Sequence, residues 1–277
     1  MNIPKIPVGD WIETLESWLQ LHFGFFFDFV KTVIGGVVSF LEVILREPPA
    51  IIIIVIITAL VWWLAKWRLG VFSLIGLLFI VNLGYWDPAM QTLALVLTAA
   101  LISILLGVPI GILSANYKTV RKIITPLLDF MQTMPAFVYL LPAITFFSVG
   151  VVPGVISSII FAIPPTIRLT ILGIKQVPEE LVEAADAFGS TSVQKLFKLQ
   201  LPMALPTIMA GINQTIMLSL SMVVIASMIG AQGIGTVVFA AVTQTKTGVG
   251  FEGGLVIVIL AILLDRVTQN LIKKKTN

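Results

Sequence analysis

Cysteine is absent from the 277 residues, and histidine occurs once. The first absence excludes a disulfide frame, a thiolate metal site and a cysteine nucleophile, and it leaves the redox compartment open. The second excludes a multi-histidine metal site; His22 reads as an interfacial side chain. No metal or cofactor site is therefore expected. Charge is scarce as well. Only 11% of residues are Asp, Glu, Lys or Arg, against roughly 25% in a soluble domain. No G-x4-G-K-[ST] phosphate loop is present, so nothing here is fitted to hydrolyse ATP. "GAQGIG" (Gly230–Gly235) follows no strand, so it reads as a tight or re-entrant turn rather than a phosphate cradle. An intramembrane enzyme lacks its groups too, because no paired acids fall at mid-span depth. The small net charge of +3 does not suggest nucleic-acid binding.

What is abundant is apolar surface. Hydrophobic residues make up 58% of the chain, and the mean hydropathy is +1.05. The apolar runs are continuous over about 20 residues, where barrel strands would alternate over about 10. The fold class is an all-α polytopic membrane protein. Seven spans are expected, near 50–65, 69–84, 90–114, 125–148, 153–174, 204–229 and 251–269.

The loops set an orientation. Lys66, Arg68, Lys118, Arg121, Lys122, Lys175, Lys195, Lys198, Lys273, Lys274 and Lys275 fall on one side, eleven against the four of Lys5, Lys31, Arg46 and Lys246. The positive-inside rule puts the eleven in the cytoplasm. The N-terminus is then outside and the C-terminus inside a cytoplasmic membrane. No cleavable signal peptide is read in the acidic, Trp-containing start. Within residues 8–45, Trp11, Leu15, Trp18 and Leu19 recur at helical spacing, with acids opposite. That pattern predicts a helix lying in the outer interface. The alternative is that 25–45 makes an eighth span. The chain thus divides into an N-terminal interfacial segment (1–48), two peripheral helices (49–88), a core (89–270) with a cytoplasmic loop at about 175–203, and a basic tail (271–277).

That loop is punctuated. Pro178 suits the first turn of a helix, and Glu179 and Glu180 face the positive end of its dipole. Leu181, Val182, Ala185 and Phe188 make an apolar face. Gly189 is placed for a left-handed C-cap. Thr191-x-x-Gln194 has capping-box spacing and begins a second helix, whose apolar face is Val193, Leu196 and Phe197. Pro202 is expected to stop or kink it. Two short helices at a fixed angle serve either to cap the bundle or to dock a cytoplasmic partner.

Here a resemblance enters. Glu183-Ala184-Ala185, three residues, Gly189, nine residues, then Leu199-Gln200-Leu201-Pro202 resembles the EAA-x3-G-x9-I-x-LP motif of permease subunits of bacterial ABC importers. Leu199 stands where Ile is usual. "MQTMPAFVYLLPAITFF", "IIFAIPPTIRLTILGIKQVP" and "VILAILLDRVTQ" are similar to glycine betaine/proline importer permeases, and the likeness covers roughly 90–270. It implies the type I ABC importer permease fold and uptake of glycine betaine or a related osmoprotectant. Proline, carnitine or choline are alternative solutes. A stand-alone secondary transporter is disfavoured by the motif and by the lack of a visible inverted repeat. The implied partners are a second copy of the chain, a cytoplasmic ATPase dimer carrying ATP and Mg, and an extracytoplasmic binding protein. The resemblance also implies that Glu183, Ala184, Ala185, Gly189, Leu201 and Pro202 couple to the ATPase.

Polar groups inside spans face the bundle interior. Gln132, Thr133, Met134 and Tyr139 in the fourth span are candidate pathway residues. So are Asn213, Gln214, Ser219, Ser221 and Met222 in the sixth. Static helix–helix packing is the competing reading for all of them. Asp129 and Arg168 are a candidate structural ion pair.

Overall fold

The computed structural model describes residues 6–65 and 67–276, with side chains up to residue 270. Lys5, Lys66 and the side chains of Lys273, Lys274 and Lys275, which weigh in the charge asymmetry, lie outside the described residues. Among the described residues all regular structure is helical: α1 Val8–Arg46, α2 Ala50–Leu64, α3 Trp67–Asn82, α4 Trp86–Asn116, α5 Lys118–Thr133, α6 Leu140–Phe147, α7 Val151–Lys175, α8 Glu179–Ala187, α9 Ser192–Lys195, α10 Leu201–Ser227, α11 Ile234–Thr243 and α12 Thr247–Thr276. The chain is an all-α, multi-pass membrane protein.

Four stretches are each long and apolar enough to cross a bilayer: α4, α7, Ser192–Ser227 and Thr247–Asn270. The remaining expected spans are shorter or bent. α2 and α3 have 15 and 16 residues, about 23 Å each at 1.5 Å per residue. The segment expected as one helix over 125–148 is broken. α5 and the run Ala136–Phe147 meet at 110°. The cause is local: Met134, before Pro135, is extended at φ −69° and ψ 138°, the conformation a following proline favours.

α4, α7 and α10 interlock at the centre, where small residues let the backbones approach. A Cβ on Gly111 would lie 2.5 Å from Thr170 Cβ, and one on Gly211 3.0 Å from the Pro165 carbonyl oxygen. A side chain at Gly111 would force a shift, and one at Gly211 would be tight against backbone. Between them Thr215 Oγ1 donates to the Ala162 carbonyl at 2.7 Å, so Thr166, at 2.7 Å from Thr215, is the donor in that pair.

The bundle has two distinct ends. At one, the start of α4, the α6–α7 turn and the glycine turn after α10 converge. Gly150 N–H donates to the Ile229 carbonyl at 2.9 Å. Ile234 N–H donates to Thr92 Oγ1 at 2.9 Å. Tyr85 donates to Glu252 at 3.0 Å. Burial first, then that hydrogen bond and the carboxylate's charge, raise the Tyr85 phenol above its ordinary pKa. At the other end lie the C-terminal turns of α4 and α7 and the loop 178–200.

α1 is one helix with a kink at Phe23, laid across the first of these ends. Gln20 Nε2 donates to the Thr145 carbonyl. Phe27 stacks on Phe146 at 4.4 Å, and Arg46 reaches Asp87 at 3.3 Å. Its second half has three faces. Phe27, Val30, Ile34 and Val38 turn to the bundle. Asp28, Lys31, Thr32, Ser39 and Glu42 make a polar face. Phe26, Phe29, Val33 and Phe40 make an exposed apolar one. α2 leaves α1 at 101°.

Candidate functional site

The loop between α7 and α10 is fixed by its own short-range bonds. α8 ends at Gly189, whose φ of +74° favours glycine because no Cβ collides there. Gly189 N–H donates to Asp186 O at 2.9 Å and Ser190 N–H to Ala185 O at 3.0 Å, the two bonds of a Schellman motif. Thr191 then opens α9 with both arms of a capping box: Gln194 N–H donates to Thr191 Oγ1 at 3.3 Å and Thr191 N–H to Gln194 Oε1 at 2.9 Å. Lys195 Nζ contacts both oxygens of Asp186 at 2.7 and 2.8 Å, tying the second short helix to the first.

Against the bundle the loop places Val182 and Leu196, which share a cavity with Ile112 and Asn116 of α4 and with Tyr117 just beyond it. Ser192, Val193, Lys195 and Gln200 line the same cavity, and much of the rest of the loop is exposed. No residue of α8 or α9 is buried. Glu183 and Ala184 are exposed and Ala185 is half-buried. Phe188 is 89% exposed, Val193 65% and Phe197 62%. The apolar face expected for Leu181, Val182, Ala185 and Phe188 is therefore split: Val182 and Ala185 are half-buried, and Leu181 and Phe188 are exposed. Pro202 does not stop the chain either. It sits in the first turn of α10, exposed, after a π-helical turn Leu196–Gln200. The wider turn accommodates the N–H that Pro202 cannot offer. Leu201 packs half-buried near Ile174 and Ala204.

The helical phase of α10 separates the residues singled out there. Ser219 and Met222 are fully buried and face the packed core. Gln214 and Ser221 are exposed, on one stripe with Met203, Ala210 and Met217. Asn213 is half-buried and donates to Asp265 at 2.7 Å; Asp265 also accepts from Gln269 at 2.7 Å and lies 3.7 Å from Arg266. In α5, Gln132 and Thr133 are exposed at the break and Met134 is half-buried. Tyr139 is buried, turned away from the open face, and its hydroxyl donates to the Met131 carbonyl. In a continuous helix that carbonyl would take the N–H of residue 135, which proline lacks. Arg168 Nη2 lies 2.5 Å from Asp129 Oδ1, with both side chains substantially exposed. Among the described residues no group of three acidic or histidine side chains is arranged to hold a metal.

Comparisons with known proteins bear on this arrangement. Residues 107–277 match the family described as binding-protein-dependent transport system inner membrane component. The glycine betaine transport system permease protein OpuAB of Bacillus subtilis (strain 168) is 58% identical over 276 residues, covering 99% of this chain and 98% of that protein. The glycine betaine/carnitine transport permease protein GbuB of Listeria monocytogenes is 53% identical over 277 residues, covering 99% and 98%. The glycine betaine/proline betaine transport system permease protein ProW of Escherichia coli (strain K12) is 48% identical over 264 residues, covering 95% of this chain and 75% of that one. In structure, a chain of the inward-facing MetNI methionine ABC transporter superposes with a TM-score of 0.63 at 21% identity, over 70% of this chain and 96% of that chain; this likeness concerns the fold alone. With the permease fold, the capped loop and near-full-length relatives in agreement, the chain belongs to the binding-protein-dependent transport system inner membrane components, the permeases of ABC importers.

Proposed function

We propose that this permease forms, with a second copy of itself, the pathway by which glycine betaine or a related osmoprotectant is imported. ATP is hydrolysed by a separate cytoplasmic subunit, and an extracytoplasmic binding protein delivers the solute. The observation that carries the coupling is the loop 178–200. Its angle is held by its own caps and ion pair, yet it leaves Phe188, Val193 and Phe197 largely exposed beside Glu183. A segment that merely sealed the bundle would turn these side chains inward. A cleft in the ATPase gives them cover and meets Glu183 with a basic group.

The basic loops support a cytoplasmic position for this end, and the three faces of α1 support a flat position in the outer interface. One side rests on the bundle, the polar side meets water and the apolar side meets lipid. An eighth span would have to carry Asp28, Lys31 and Glu42 through the hydrocarbon. Gln214 and Ser221 suit a weakly polar path for a zwitterion without net charge. The substrate reading follows the names and identity of the relatives.

Co-expression with the ATPase and binding protein, followed by reconstitution in liposomes, tests the proposal. ATP-driven uptake of radiolabelled glycine betaine is expected. Glu183→Lys should still insert but lose ATPase association. Uptake by the permease alone on an ion gradient would sink the reading.

A further inference from the structure

α5 packs against α4 and α7 with one face only: Ile124, Leu128 and Met131 meet Ile110, Ile163 and Ile167. At about 100° per residue, Lys118, Lys122, Thr125, Asp129 and Gln132 recur at steps of four, three, four and three along a second face. All five are exposed. A third face carries Ile123, Leu127 and Phe130, exposed and wholly apolar. The helix climbs beside α7 until Leu128 lies level with Ile163 and Ile167, the middle of Val151–Lys175. The polar stripe thus runs from the coupling-loop end to the centre of the bundle. Arg168 joins it from α7 through its bond to Asp129.

The two open faces cannot share one surrounding. Ile123, Leu127 and Phe130 suit lipid. A carboxylate, a guanidinium and an amide at this depth do not, and ionisable groups there face a cavity or a partner. The stripe ends where α5 breaks. Met134 N–H closes the last bond of the helix, to Phe130 O, and among the described residues the carbonyls of Gln132 and Thr133 beyond it take no main-chain partner. They sit at the negative end of the helix dipole, a setting in which unwound carbonyls receive cations.

We propose that this stripe, completed by Arg168, is the wall of a water-filled exit lane from the bundle centre to the cytoplasm. The lane is matched to a zwitterion. The free carbonyls at the break take its ammonium end. Arg168 and Lys122, which outnumber Asp129, draw its carboxylate onward. This rests on the transport reading above and adds where the solute leaves and which groups it meets.

The cysteine-free chain makes the test direct. Single Thr125→Cys, Gln132→Cys, Leu127→Cys and Phe130→Cys variants, assembled with the ATPase in inside-out vesicles, are exposed to a membrane-impermeant thiol reagent. Positions 125 and 132 are expected to label, with glycine betaine slowing the reaction at 132. Positions 127 and 130 should stay unlabelled. Arg168→Gln should lower betaine uptake by about tenfold, the loss of one charge-assisted hydrogen bond, with Arg168→Lys recovering part of it. Equal labelling on both faces, or labelling confined to 127 and 130, overturns the lane even if Arg168→Gln fails to assemble. Uptake by the unmodified complex reports separately on the transport reading. Its absence removes the solute assignment; its presence with a silent stripe removes only the lane.

Discussion

Replacing Gly189 with alanine isolates backbone conformation from packing. The residue sits at φ +74°, and a Cβ built there meets nothing within 4 Å. The substitution therefore introduces no clash, and its whole effect is the left-handed conformation, about 1–2 kcal/mol for an L-residue. No buried residue in α8 or α9 anchors the loop by other means. The strain falls on the angle between the two short helices and not on the α4–α7–α10 core. If the ATPase binds only the native angle, its apparent affinity drops by the fraction of loops still holding it, up to a factor of about 5–30 for this energy. Titrating purified ATPase against detergent-solubilised permease measures the affinity, and thermal unfolding of the permease alone should be unchanged. Gly189→Asn, which tolerates this conformation, should bind within a few-fold of wild type. If alanine and asparagine variants bind equally well, the loop angle is not what the ATPase reads. If alanine instead lowers the permease's own melting temperature, the loop belongs to the core and the docking argument fails.

Other outcomes follow from single contacts. Gly111→Ala would press a methyl to 2.5 Å from Thr170 Cβ, and should destabilise the folded permease by about 1–3 kcal/mol, read as a lower midpoint in a detergent melt. Thr245 holds φ +56° at the α11–α12 turn, so Thr245→Gly should raise that midpoint by relieving a strain of about 1–2 kcal/mol, less the entropy glycine adds to the unfolded chain; a lower midpoint would show that the turn is not strained. Single cysteines at Lys118, Lys195 and Lys246, probed with an impermeant reagent in intact cells, should label only at 246; labelling at 195 would reverse the orientation and the coupling loop with it.

The loop 178–200 was legible because its signals are local. A glycine at a cap, Thr191 three residues before Gln194 and Pro178 at a helix start act over a few bonds, and the resemblance added the spacing to Pro202. What the sequence left open depends on neighbours. Prolines at 109, 126, 164, 165 and 206 all lie inside helices, whereas Pro135 breaks one, and nothing in the residue type separates them. At Pro135 the break is held within the same segment: Met134 is extended before the ring, and the Tyr139 hydroxyl donates to the Met131 carbonyl. α10 posed a problem of phase. A run as apolar as 204–229 gives little moment to orient it, so Ser219 and Ser221, two residues apart, read alike although one is buried and the other open. α5 did carry a strong signal, the polar repeat from Lys118 to Gln132, masked by reading 125–148 as one uniform span. α11, only 10 residues long, was hidden behind the glycine turn that precedes it.

The interlocked centre has a mechanical meaning. Helices that approach backbone to backbone through Gly111 and Gly211 have little compliant side-chain layer in which to slide, since a methyl group is cramped at either place. α4, α7 and α10 must then move as one stiff body, and the degrees of freedom are displaced to its rim: the glycine turns at one end and the capped loop at the other. If the capped loop is where the ATPase docks, as proposed above, a displacement there reaches the turn around Gly150 and Gly230 through α7 and α10 as a whole. On that proposal such a body would work as a lever, its stroke set at the loop and not by deformation within the bundle.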